Sequence, residues 1–180
     1  MTMKYLEEIL IAGGLANRGE DIRQKLVRKY SWAIPSDDAL ATIRKHAPLI
    51  EIGAGKGYWA SLLDVDIICF DLCLGENTYA DSTKNYYPIT LGGPEKLLEH
   101  PERTLFLCWP PYDDPMAADC LKVYQGDRLI FIGEGHGGCT GDSAFWEMID
   151  DSWEAEETIP IPQWSFMHDY LTIFRREDGR

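Results

Sequence analysis

Long apolar runs are missing from this chain. No stretch approaches the roughly 20 apolar residues that a membrane-spanning helix needs, so no such span is expected and no membrane partner either. Positive charge is scarce as well. Lys and Arg number 17 against 30 Asp and Glu, a formal net charge of −13. Basic patches supply most of the affinity for phosphate backbones, so this balance weighs against a dedicated nucleic-acid partner and favours a small-molecule one. The basic residues that exist gather early, chiefly at Arg18, Arg23, Lys25, Arg28, Lys29, Arg44 and Lys45. Metal-binding cysteine patterns are absent. The chain has five cysteines and no C-x-x-C pair. Cys69 and Cys73 have no companion pair or His cluster to complete a zinc site, so reduced thiols and no metal are expected. Acidic Glu7 and Glu8 stand where a secretory signal has its basic region, so a cytoplasmic location is expected.

What is present is enough apolar residue for a buried core. The 180 residues fit one domain, with residues 1–47 as an N-terminal helical segment packed on it. The chain is organised around Leu49-Ile50-Glu51-Ile52-Gly53-Ala54-Gly55-Lys56-Gly57-Tyr58-Trp59-Ala60. This reads as a short buried strand, a glycine turn and the start of a helix. Glycines serve where a chain turns sharply off a strand or where backbone approaches a ligand closely.

Around this centre the pattern alternates. Residues 4–15, 21–30 and 37–45 have helical periodicity, and Ser36 suits an N-cap. Residues 66–71 form a second strand ending in Asp71, about 20 residues past the first glycine. An acid at that place in nucleotide-binding α/β folds accepts both ribose hydroxyl protons. Strands are expected at 87–91, 104–109 and 128–134, with helices at 94–98, 116–125 and 143–149. The final strands, 153–161 and 170–176, are expected to pair. Strands alternating with helices predict a parallel sheet.

The glycine spacing differs from the dinucleotide fingerprint G-x-G-x-x-G. As E-x-G-x-G-x-G it resembles motif I of the class I S-adenosylmethionine (SAM) dependent methyltransferases. The resemblance implies a Rossmann-like α/β fold with a seven-stranded, mostly parallel sheet, helices on both faces and an N-terminal helical cap. It implies SAM as cofactor, with Glu51 toward the methionine part, Gly53, Gly55 and Gly57 passing beneath the ligand, and Asp71 on the ribose. Trp109-Pro110-Pro111-Tyr112 resembles motif IV of methyltransferases acting on planar amino groups. There a polar side chain and a proline carbonyl accept hydrogen bonds from the target amine, and the aromatic residue stacks on its ring. On that resemblance Trp109, Pro110 and Tyr112 take catalytic positions, and Cys108 with Trp109 also borders the cofactor.

Trp109 departs from the pattern, because an indole donates a hydrogen bond but accepts none. The departure weighs against adenine N6 or cytosine N4 methylation. Glu134 and His136, at the end of the fifth strand, are candidates to compensate, with His136 as a proton acceptor. The run from Tyr30-Ser31-Trp32-Ala33-Ile34-Pro35 through motif IV to Gly133-Glu134-Gly135-His136-Gly137-Gly138-Cys139 resembles a group of small microbial methyltransferase-like proteins of unassigned substrate. The expected activity is methyl transfer to nitrogen or oxygen of a small or aromatic-ring acceptor. Two alternatives stay open: a non-catalytic SAM- or nucleotide-binding module, and a nucleic-acid amino-methyltransferase acting on an unstacked base.

Overall fold

The computed structural model describes residues 4–14, 20–75, 79–81 and 83–177, with only the backbone of residues 20 and 21. Leu15 and Arg18, read above as helical and basic, lie outside them. Strand β1, Leu49–Ile52, has β2, Ile67–Asp71, on one side and β4, Thr104–Cys108, on the other, both parallel. The short β3, Thr90–Leu91, continues beyond β2. Strand β5, Arg128–Glu134, runs parallel to β4. Strand β7, Asp169–Arg176, lies antiparallel between β5 and β6, Trp153–Pro160. The order is therefore β3-β2-β1-β4-β5-β7-β6, a seven-stranded sheet with one reversed strand. This is the mostly parallel Rossmann-like sheet expected above.

Side-chain alternation along the central strands loads both faces of the sheet. Leu105 and Leu107 of β4 and Leu129 and Phe131 of β5 face one core. Helices α5, Met116–Val123, and α6, Ser143–Ser152, pack there through Ala117, Leu121, Phe145 and Ile149. Phe106, Ile130 and Ile132 face the other core, against α3, Asp37–Arg44, and α4, Ala60–Leu63. Ser36 caps α3 by accepting from the Ala39 amide at 3.2 Å, and Asp142 caps α6 from the Phe145 amide at 2.9 Å. Arg44 donates to the carbonyls of Leu62 and Leu63, at 2.8 Å each, satisfying the free end of the short α4.

Helices α1, Lys4–Ile11, and α2, Glu20–Lys29, build a third cluster. Tyr5, fully buried, stacks on Tyr30 and meets Tyr58 edge-on, and its hydroxyl donates to the Ser31 carbonyl at 2.8 Å. Tyr5, Tyr30 and Tyr58 tie the N-terminal helices to the glycine turn at Tyr58. The N-terminal segment thus packs over the carboxyl ends of the first strands. Two expected elements differ. The 94–98 helix is a 3-10 turn, Pro94–Leu98, and the third strand keeps only two paired residues.

Candidate functional site

One cleft of about 750 Å³ opens at the carboxyl ends of β1, β2 and β4, the edge on which open α/β sheets bind ligands. Glu51, Gly53, Gly55, Asp71, Cys108, Trp109, Pro110 and Tyr112 all line it. Gly57 and His136 do not.

The glycine turn leaves β1 with positive φ at Gly53, Gly55 and Gly57, 74°, 55° and 68°. Any L side chain is strained there. The three differ in what surrounds them. A Cβ on Gly55 would meet nothing within 4 Å, whereas one on Gly57 would lie 2.7 Å from Tyr87 Cβ. Gly55 thus leaves backbone open to the cleft. Gly57 is a glycine because Tyr87 and Ile89 fill the space a Cβ would need, and it does not line the cleft.

Asp71, at the end of β2, joins turn and strand. Its Oδ2 accepts the Gly55 amide at 2.8 Å and its Oδ1 accepts the Cys73 amide at 2.8 Å. Each oxygen keeps a further lone pair for a ligand hydroxyl. Glu51 lies deeper, 2% exposed. Its polar contact is the Cys69 thiol, which donates to Oε2 at 3.4 Å. Burial pushes the Glu51 carboxyl up to about 8; the Cys69 contact opposes this and the Asp71 charge adds to it. A buried carboxylate without a cation is costly. Glu51 is therefore set to receive positive charge from the cleft.

Sequence reasoning passed over Lys56, which sits between two of the motif's own glycines. It is buried, lines the cleft, pairs with Asp81 and donates to Thr83. Burial alone would raise the Asp81 carboxyl, but its bonds to Lys56 and Thr83 outweigh that and hold it low. The Lys56 charge is spent within the protein.

At the other end, Trp109 leaves β4 with φ 52°, in the left-handed region. Three contacts fix it there. Its amide donates to the Ile132 carbonyl at 2.7 Å. Its indole Nε1 donates to Asp169 Oδ2 at 2.9 Å. Its ring stacks on Trp32, centroids 5.1 Å apart and planes 18° from parallel. The Pro110 carbonyl, expected to face a target amine, accepts the Gly141 amide at 3.2 Å. The glycine loop after β5 takes that group up. Tyr112 stands at the rim, 68% exposed.

Asp169 was not anticipated. Yet it falls in phase with Leu171 and Ile173 on the buried face of an alternating strand, and an acid in that phase is the signal that was there. It is 2% exposed, and its Oδ1 is buried with no hydrogen-bond partner. Burial raises its pKa; the bond from Trp109 opposes this.

Glu134 and His136 do not join the cleft. Glu134 accepts the amides of Cys139 and His168, at 2.8 Å each, and so ties the glycine loop to the turn before β7. Burial works to raise its pKa, but these amides prevail and hold it low. His136 points to solvent, 3.7 Å from Asp150 and beside Trp146. Loop geometry, which sequence spacing cannot supply, turns it away from the reactive centre. Among the described residues no group of His, Cys, Asp and Glu is placed to hold a metal, and no helix is long and apolar enough to cross a membrane.

No family model matches the chain, and no curated protein matches it. The solved structures that resemble it in backbone include the following two. One, a mutant of MtNAS, aligns with 76% of this chain at 8% identity and a TM-score of 0.46. The chain spans 57% of that neighbour's length. The other, M. capricolum TrmK in complex with S-adenosylhomocysteine, aligns with 79% of this chain and 69% of its own at 10% identity and a TM-score of 0.43. Likeness at this level bears on neither ligand nor reaction. The fold rests on the strand order itself.

Proposed function

We propose that the chain is a SAM-dependent methyltransferase that acts on a nitrogen or oxygen of a small or aromatic-ring acceptor. One observation carries the reading. Two adjacent parallel strands end in carboxylates, Glu51 and Asp71, that line one cleft with an open glycine backbone between them.

The residues fit the cofactor's chemistry. SAM carries an ammonium and a sulfonium, and Glu51 is a buried carboxyl whose ionised form lacks a cation until one arrives from the cleft. SAM also carries a ribose diol, and Asp71 offers two oxygens already oriented by the Gly55 and Cys73 amides. When bound, SAM supplies a methyl group already activated by positive sulfur. The protein then needs to bind, orient and exclude water. Trp109, Pro110 and Tyr112 border the space where an acceptor would lie. With the Trp109 N–H given to Asp169 and one lone pair of the Pro110 carbonyl taken by the Gly141 amide, the motif IV pattern keeps at most one acceptor site for an amine. This counts against a base amino group as acceptor.

Calorimetric titration with SAM tests the reading. Saturable binding at micromolar to low-millimolar SAM is expected, and no heat at millimolar SAM would remove it. The internal use of the motif IV groups also favours a second reading, a SAM-binding module without turnover. A tritiated-methyl transfer screen over metabolite, peptide and nucleic-acid pools separates the two.

A further inference from the structure

The walls of the cleft carry an unusual charge balance. Lys56 and Arg28 line it, but Lys56 is paired with Asp81 and Arg28 donates to the Ala80 carbonyl at 3.4 Å. The acids are less well matched. Glu51 is buried with a thiol for its partner, and Asp114 lines the cleft near Tyr112. Behind Trp109 lies Asp169, 98% buried by its 2% exposure, with one oxygen on the indole N–H and the other without a partner.

That contact changes what the indole can do. A carboxylate accepting from Nε1 polarises the ring and adds electron density to its faces. Aromatic faces attract cations, most strongly when the site is desolvated, and Trp is the best of them. Trp32 lies parallel to Trp109 and covers one of its faces, and both half-buried rings line the cleft, so the stacked pair offers a ligand an outer ring face and its edges. An exposed ring face selects a planar ligand, and a buried carboxyl at the edge of the indole favours positive charge. The same features disfavour a carboxylate or phosphate, because Lys56 is already paired with Asp81 and the buried carboxyls oppose a second anion.

We propose that Trp32, Trp109 and Asp169 form a charge-selective recognition wall, and that the acceptor it takes is a planar molecule carrying positive charge and a separate nucleophilic atom, such as an N-alkylated heteroaromatic ring with an amino substituent whose nitrogen takes the methyl and releases a proton to solvent. Trp109 and Trp32 touch this ligand. Asp169 acts through Trp109 and is a positioning residue. The proposal deepens the methyltransferase reading and rests on it for the word acceptor. The binding preference of the wall stands apart from it.

The test uses the whole chain saturated with S-adenosylhomocysteine and three planar probes: 1-methylquinolinium, quinoline and 2-naphthoate, each titrated by calorimetry at pH 7.5. The cation should bind about tenfold more tightly than quinoline, and the anion should not bind measurably. Asp169→Asn keeps an acceptor for the Trp109 N–H but removes the charge. It should cost 1-methylquinolinium about three- to tenfold in affinity and leave quinoline unchanged. Trp32→Leu should weaken both. Equal affinity of wild type for the cation and quinoline overturns the proposal, with no variant needed. Equal loss of both ligands in Asp169→Asn also overturns it, since that marks a merely structural role. Failure of the methyltransferase reading looks different: S-adenosylhomocysteine gives no heat, while the quinolinium preference persists.

Discussion

The two ends of the cleft are built in opposite ways. At the β1–β2 end, Glu51, the glycine turn and Asp71 come from 21 consecutive positions, and backbone amides hold the parts together. At the β4–β5 end, Trp32, Trp109 and Asp169 come from three separate segments and meet through side chains, and Gly141 from a fourth joins by its amide to the Pro110 carbonyl. The first kind of site is local and repeats in sequence as a motif. The second exists only once helix, strand and loop have packed. A ligand-binding edge can thus combine a stretch recognisable in sequence with one assembled by the fold.

Substitutions at each end should separate the two constructions. The largest effect is expected at the glycine turn. Gly57→Val forces a branched side chain into the left-handed region and against Tyr87, and should cost roughly 2–5 kcal/mol of stability in urea melts. Gly55→Ala meets no neighbour and should cost only about 1–2 kcal/mol, with SAM affinity as its main casualty. Equal losses would mean that the two glycines do the same work.

Asp71→Ala removes the carboxylate that holds the Gly55 and Cys73 amides. SAM affinity by calorimetry should fall about 10- to 100-fold. Trp109→Phe, at the other end, should leave it within about twofold, because the turn keeps its amide contacts. Comparable losses in both would show the ends to be one unit.

A smaller, pH-dependent effect tests Glu51. Its carboxyl has an ordinary value of 4.5, and burial raises it to about 8 in the folded protein. The folded chain therefore holds a proton that the unfolded chain has already lost. This contribution to stability is complete below 4.5 and disappears as pH rises through about 8. Melting temperatures of the ligand-free wild type should fall relative to Glu51→Gln between pH 5 and pH 8, with the gap widening throughout. Parallel curves would reveal a compensating cation beside Glu51. The smallest effect belongs to His136→Ala. With an exposed ring 3.7 Å from Asp150, the change should stay within about 0.5 kcal/mol, and transfer of tritiated methyl should be unaffected.

The strands with continuous apolar character were legible because central parallel strands are buried on both faces. β1 and β5 run over the residues their composition indicated. The cap Ser36 was legible for a similar reason, since a cap is a bond between near neighbours. β3 was overread: Tyr87 turns away to fill the space at Gly57 and donates to the Ile67 carbonyl at 3.2 Å, so its segment pairs only at Thr90–Leu91. The position of His136 outside the cleft and the bond to the Pro110 carbonyl were not legible, for a common reason. Both depend on the path of the loop 135–142, and glycine-rich backbone has too many accessible conformations for spacing to select one.

The sequence by itself determined the alternation of strands and helices, the carboxylates closing the first two strands and the glycine turn between them. These depend on periodicity, backbone freedom and bonds between near neighbours, all written within a few residues. Tertiary structure decided which side chains face one another across the cleft. It buried Asp169 behind Trp109, laid Trp32 along the same indole and spent Lys56 on Asp81. Contacts between residues so far apart in the chain carry no local signature, because their geometry follows from how the layers pack.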